Sequence, residues 1–121
     1  MIEPNRLLKS FRHAASGIIL AFRTEQSFRV QASLALFVVG LGYVLRVSRS
    51  EWIVILFLIT LVLVLELINS VFERLVDAFK PRLHPIVHEV KDLMAATVLV
   101  GAILSVVIGA MIFLPKVWAL F

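Results

Sequence analysis

The 121 residues include no cysteine, so disulfides, thiolate zinc sites and cysteine nucleophiles are excluded. Charged residues are scarce at 17% of the chain, against about 25% in ordinary soluble proteins. Intrinsic disorder needs low hydrophobicity and high net charge, and this chain has neither. The five glycines, at positions 17, 40, 42, 101 and 109, form no G-x-x-x-x-G-K-[ST] and no G-x-G-x-x-G. The two familiar glycine-rich phosphate loops are therefore missing. No H-E-x-x-H occurs either. His84 and His88 stand four apart, a spacing zinc sites use, but Pro85 intervenes and no third ligand is near. A polar loop contact is the better reading of His84. Proline is rare, and Lys80-Pro81-Arg82-Leu83-His84-Pro85 is the one clear break in the chain. No repeat or linker is present.

Apolar residues are what the chain has in excess. They make up 61% of it, with a mean hydropathy of +1.03, against about 45–50% apolar in a soluble domain. A solvent-facing globular fold is excluded, and the length fits one domain, residues 1–121. The net charge of +4 could suggest nucleic acid. The basic residues flank apolar runs, however, so a membrane surface is the expected partner and nucleic acid is not.

A bilayer's hydrocarbon core needs about 20 helical residues. Three segments qualify, roughly Gln31 to Val47, Trp52 to Val71 and Met94 to Leu114. The first two are joined by Arg46-Val47-Ser48-Arg49-Ser50-Glu51, a short polar turn that makes a helical hairpin. The first apolar run starts too late for a signal peptide, so the chain is expected to be retained whole. Nine basic residues precede the first span or lie between the second and third; Arg46, Arg49 and Lys116 are the other three. The positive-inside rule then puts the N-terminus and second loop in the cytoplasm. Trp52 and Trp118 fall at the outer interface, as an aromatic belt would.

Before the first span, about Asn5 to Phe28, Leu7, Leu8, Phe11, Ala15, Ile18, Ile19 and Phe22 recur at spacings of three and four. Arg6, Lys9, Arg12, His13 and Arg23 fill much of the rest. Such a stripe predicts an amphipathic helix lying in the headgroup plane. The expected fold is an all-α membrane protein, one surface helix plus three transmembrane helices.

The second span carries polar groups that a plain anchor would lack. Glu66, Asn69 and Glu73 share one narrow face at about 100° per residue, and Asp77 continues it. Counting about 1.5 Å per residue from Trp52 puts Glu66 roughly 21 Å deep, inside a hydrocarbon layer of about 30 Å. An ionisable group there costs at least about 2.5–3.5 kcal/mol, and its default reading is a functional site. Pairing with a basic residue across a helix interface is the structural alternative. Lys91 and Asp92 enter the membrane where this face leaves it, which gathers both charge signs at one boundary. An interfacial anchor is the competing reading of that pair. Ala95, Ala102, Ser105 and Gly109 along the third span read as a packing stripe.

Phosphoryl transfer to a lipid hydroxyl would use these groups. It needs a base for the hydroxyl proton, a divalent cation and cationic groups on phosphate oxygens. Glu66, deepest and partly desolvated, suits the base. Glu73 with a further carboxylate such as Glu25 suits magnesium. Lys91, Arg6 and Arg82 suit phosphates. A small proton-coupled transporter would also bury one glutamate, although such proteins usually have four spans and place it nearer the midplane. A structural membrane peptide would leave the aligned Glu66, Asn69 and Glu73 unexplained.

The run Glu66-Leu67-Ile68-Asn69-Ser70-Val71-Phe72-Glu73 resembles the E-x-x-N-[ST]-x-x-E signature of the small bacterial diacylglycerol kinase and undecaprenol kinase family. Lys91-Asp92 with Ala95-Ala96 resembles that family's K-D-x-x-[AS]-A motif, and the stretch from Gly17 to Glu25, then Phe28-Arg29, resembles its surface helix and elbow. The likeness covers nearly the whole chain. It implies a homotrimeric lipid kinase of the bacterial inner membrane, using ATP and Mg2+. In that family's terms Glu66 is the catalytic base and Asn69 supports it. Glu25 and Glu73 bind magnesium. Arg6, His13, Arg82, Leu83, His84, Lys91 and Asp92 contact the nucleotide together with them. Phe22, Phe28, Arg29, Gln31, Trp52, Glu66 and Ala95 fall along the lipid path. Phe22, Gln31, Met94-Ala95 and His84-Pro85 depart from the familiar Gram-negative diacylglycerol kinase pattern, and His84-Pro85 is closer to the undecaprenol kinase branch. Diacylglycerol is the substrate by family default, with undecaprenol as the alternative.

Overall fold

A computed structural model describes residues 1–121, apart from the side chain of Leu83. The chain forms five helices: α1 (Pro4–Thr24), α2 (Gln26–Val44), α3 (Arg49–Ala78), α4 (Lys80–Leu83) and α5 (Val87–Trp118). Among the described residues there is no strand. α2, α3 and α5 are long and apolar enough to cross a membrane, which makes this an all-α membrane protein with an N-terminal helix in front.

α1 opens with Pro4 in its first turn, where the missing N–H costs nothing. Its apolar stripe finds little to pack against within the chain: only Ala21 is buried, while Leu7, Leu8, Phe11, Ile18 and Ile19 stay exposed. The helix stops at Thr24 because Glu25 turns extended, at φ −109° and ψ 109°. Arg29 secures that stop. Its Nη1 donates to the carbonyls of Phe22 and Arg23, both at 2.9 Å, filling acceptors a helix end leaves open. The surface helix was expected to run to Phe28 and the first span to begin at Gln31. Instead the break falls at Glu25, and Phe28 and Arg29 open α2. Apolar periodicity continues across the break, so only the cap by Arg29 reveals it.

At the far end of α2, Arg46 takes a positive φ of 54°. α3 then starts on a capping box: the Glu51 N–H donates to Ser48 Oγ and the Ser48 N–H to Glu51 Oε1. Lys116 of α5 reaches the same carboxylate at 3.0 Å, so α5 is tied to the start of α3 at this hairpin end. The Trp52 indole lies over Gly42, where a Cβ would come within 3.0 Å of the ring. Val47, Ile55 and Phe113 form the buried cluster beside it. Gly42→Leu is therefore expected to destabilise the fold by about 1–3 kcal/mol through overpacking. Thermal unfolding in detergent checks this, and an unchanged midpoint would mean that the indole moves aside freely.

α3 has 30 residues, a length of roughly 45 Å, well beyond a hydrocarbon core of about 30 Å. The expected span from Trp52 to Val71 is its apolar part. The helix continues to Ala78 because no breaker intervenes. α5 likewise extends the expected span, Met94 to Leu114, at both ends, and Pro115 is accommodated in its last turns. α3 packs tightly on α5 at Gly101, where a Cβ would stand 2.5 Å from Leu65 Cδ1. The small-residue stripe read from the sequence lies beside that contact; a Cβ at Gly109 would meet open space. An open apolar groove of about 430 Å³ runs between the spans from Gln31 to Phe113 and Leu114.

Candidate active site

Among the described residues two polar side chains are buried, Glu66 and Ser70, at 6% and 7% exposure. Both lie on α3, four residues apart and so on one face. Gln31 of α2 and the carboxyl groups of Glu25 and Glu73 lie in the neighbourhood of Glu66. The break after α1 explains how Glu25 arrives. Because the chain bends there, the Glu25 carboxylate turns toward α3. Ser70 Oγ donates to Glu25 Oε1 at 2.9 Å, and Arg74 Nη2 lies 3.5 Å from the same oxygen. Arg74 Nη2 also donates to Thr24 Oγ1 at 2.8 Å. One turn away, Asn69 Nδ2 donates to Glu73 Oε1 at 3.2 Å. Asn69 Oδ1 is buried and has no hydrogen-bond partner.

The fold brings Glu25, Glu66, Asn69 and Glu73, all named from the sequence, into one neighbourhood. Ser70 and Arg74 were missed. Their signal was available: each sits four residues beyond a residue of the face, Ser70 from Glu66 and Arg74 from Ser70.

A second group forms one turn beyond Glu73. Lys91 Nζ pairs with Asp77 Oδ1 at 2.8 Å, and His88 Nε2 lies 3.3 Å from Asp92 Oδ2. Lys91 is thus joined to the extension of the Glu66 face, whereas Asp92 is held by its own helix. The remaining residues expected at a nucleotide lie outside the cluster within this chain. Arg6 pairs with Glu3 at 3.1 Å, and His13, Arg82 and His84 are exposed. Leu83 closes α4, and its side chain lies outside the described residues.

Along the expected lipid path, Phe22 and Ala95 are exposed, Phe28 is buried and Gln31 lies near Glu66. Arg29 is occupied in capping α1. Trp52 sits at the opposite, hairpin end of α3, packed on Gly42, and roughly 21 Å of helix separates it from Glu66.

No group of three or more His, Asp or Glu among the described residues forms a ready metal cage. The donors nonetheless suit a hard cation that keeps waters and takes one or two carboxylates plus phosphates, as Mg2+ does. Glu25 and Glu73 each have one oxygen engaged by a neighbour. Their second oxygens have no hydrogen bond among the described residues. The orphaned Asn69 Oδ1 adds a further buried acceptor that needs a donor or a cation.

The family model described as prokaryotic diacylglycerol kinase matches residues 12–113. An undecaprenol kinase of Bacillus subtilis is 41% identical over 114 residues, covering 94% of this chain and 93% of the relative. A diacylglycerol kinase of Synechocystis is 32% identical, covering 98% of this chain and 68% of the relative. One from Pseudomonas aeruginosa is 31% identical, covering 90% and 89%. No solved structure matches the chain. The transporter reading finds no support in these relatives. With a family match spanning most of its length and both helix motifs in place, the chain belongs to the prokaryotic diacylglycerol kinase family of membrane lipid kinases.

Proposed function

We propose that this chain transfers the γ-phosphoryl group of ATP, with Mg2+, to the hydroxyl of a membrane lipid alcohol, undecaprenol in the first place. The observation that carries the reading is the buried Glu66 on a membrane helix, with Glu25 and Glu73 gathered beside it. Glu66 would take the proton of the lipid hydroxyl as its oxygen attacks phosphorus and the bond to the leaving diphosphate breaks. Gln31 would orient Glu66. Glu25 and Glu73 would hold Mg2+, which supplies neutralisation of phosphate charge when bound. Lys91 would meet a phosphate oxygen on leaving Asp77.

We read the site as shared between chains. Arg6, His13, Arg82, His84 and Asp92 are exposed, and among the described residues none of them pairs with Glu25, Glu66 or Glu73. A homotrimer in which a neighbour presents such groups to the nucleotide would complete the site and cover part of the apolar groove. Basic residues concentrate toward the Glu66 end, supporting an inner-membrane protein with its N-terminus, second loop and site facing the cytoplasm.

Undecaprenol is favoured by the 41% identity to the undecaprenol kinase of Bacillus subtilis over nearly the whole of both chains. Diacylglycerol is the second reading, favoured by the family description and by several relatives at 31–32% identity. Purified protein given both alcohols in competition, with labelled ATP and Mg2+, decides between them. Label in undecaprenyl phosphate is expected; label mainly in phosphatidate would reverse the order.

A further inference from the structure

Arg74 has no place in the reading above, yet it touches the cluster at two points. Its Nη2 donates to Thr24 Oγ1 at 2.8 Å and lies 3.5 Å from Glu25 Oε1. The Ser70 hydroxyl donates to that same Glu25 oxygen at 2.9 Å. Both contacts therefore fall on one oxygen of the carboxylate, and Oε2 accepts no hydrogen bond among the described residues. The position of Glu25 makes this arrangement informative. Glu25 is the extended residue between α1 and α2, so its side chain gets no support from a helix of its own. Its orientation is set across the gap to α3 by Ser70 and Arg74. Thr24 is held from its own side as well, its Oγ1 donating to the Leu20 carbonyl at 2.7 Å. The guanidinium thus locks the last residue of α1 and the bend residue to one face of α3.

We propose that Arg74 is a positioning residue: it fixes Glu25 so that the unengaged carboxylate oxygen is turned toward the divalent cation. The inference rests on the reading of Glu25 as a cation-binding carboxylate. It differs in sign from a plain charge effect. Arg74 is a positive charge near the cation site, so as a counter-charge alone its removal would strengthen cation binding. As a positioning group, its removal weakens binding, because Glu25 loses its orientation. Orientation of ligands by outer contacts is typically worth about 10–100-fold in metal affinity.

The test is a Mn2+ titration followed by electron paramagnetic resonance, on the intact protein in detergent with the non-hydrolysable nucleotide AMP-PCP. Arg74→Ala is expected to weaken Mn2+ binding about tenfold. Arg74→Gln, which keeps N–H donors but loses the charge, is expected to stay within about threefold of the parent. Arg74 is half exposed, so both variants should keep the parent's unfolding midpoint, measured alongside. Equal or tighter Mn2+ binding by Arg74→Ala would overturn the proposal. So would a loss that Arg74→Gln shares in full, or Mn2+ binding by the parent no greater than that of the nucleotide alone. Lipid phosphorylation is measured separately. An inactive parent that still shows the Arg74 effect on Mn2+ would refute the kinase reading and leave this inference standing.

Discussion

Glu66→Gln is expected to lower phosphoryl transfer by about 10²–10⁴-fold, the usual contribution of a positioned general base. The substitution keeps the shape of the side chain and its capacity to bond Gln31, and removes only the ability to accept a proton. Glu66 is buried at 6% exposure, with two further carboxyl groups nearby. A neutral amide is easier to bury than a charged carboxylate, so the variant should assemble as well as the parent and unfold no earlier. Steady-state transfer under saturating nucleotide, with size-exclusion chromatography of the same preparation, separates the two effects. Residual activity within tenfold of the parent would place the base elsewhere on the helix face. Loss of assembly would assign Glu66 a structural role.

The second large effect concerns the metal. Glu25→Gln and Glu73→Gln are each expected to raise the Mg2+ concentration needed for half-maximal transfer by about 10–100-fold. That is the scale on which even outer-shell contacts change metal affinity. The two positions differ in their support. Glu73 is bonded by Asn69 on its own helix, whereas Glu25 is held across a gap by Ser70 and Arg74. Glu25→Gln can keep the Ser70 hydrogen bond through its amide oxygen, so lost activity there should be recoverable at high Mg2+. Mg2+ titrations of initial rate check this. A fall in maximal rate that no Mg2+ concentration rescues would mean that these carboxylates act on the reacting groups and not on a cation.

The three spans, their order and the hairpin between the first two were legible because twenty-residue apolar runs have few alternatives. The helix ends were not. α3 and α5 run on past their apolar segments because nothing in the sequence stops them. The end of α1 at Thr24 depends on Arg29 reaching back to two carbonyls, a contact that periodicity does not encode. Within the site, Glu66, Asn69 and Glu73 could be read directly, since helical spacing aligns them. Glu25 was named as a further carboxylate by chemistry and by the resemblance, not by spacing, and the bend that delivers it to Ser70 is a tertiary fact. Arg74 was passed over because a charged residue at a helix end ordinarily reads as a solvated anchor. Gly101 was passed over in favour of its neighbours because small residues on a membrane helix look alike until a partner side chain, here Leu65, picks one out.

The most direct measurement is transfer of labelled γ-phosphate from ATP to lipid by the purified wild-type chain in mixed micelles with Mg2+. The lipid kinase assignment requires organic-extractable label that depends on the protein, on the added alcohol and on Mg2+ together. Well-folded protein that labels no lipid alcohol, at any Mg2+ concentration, would contradict it.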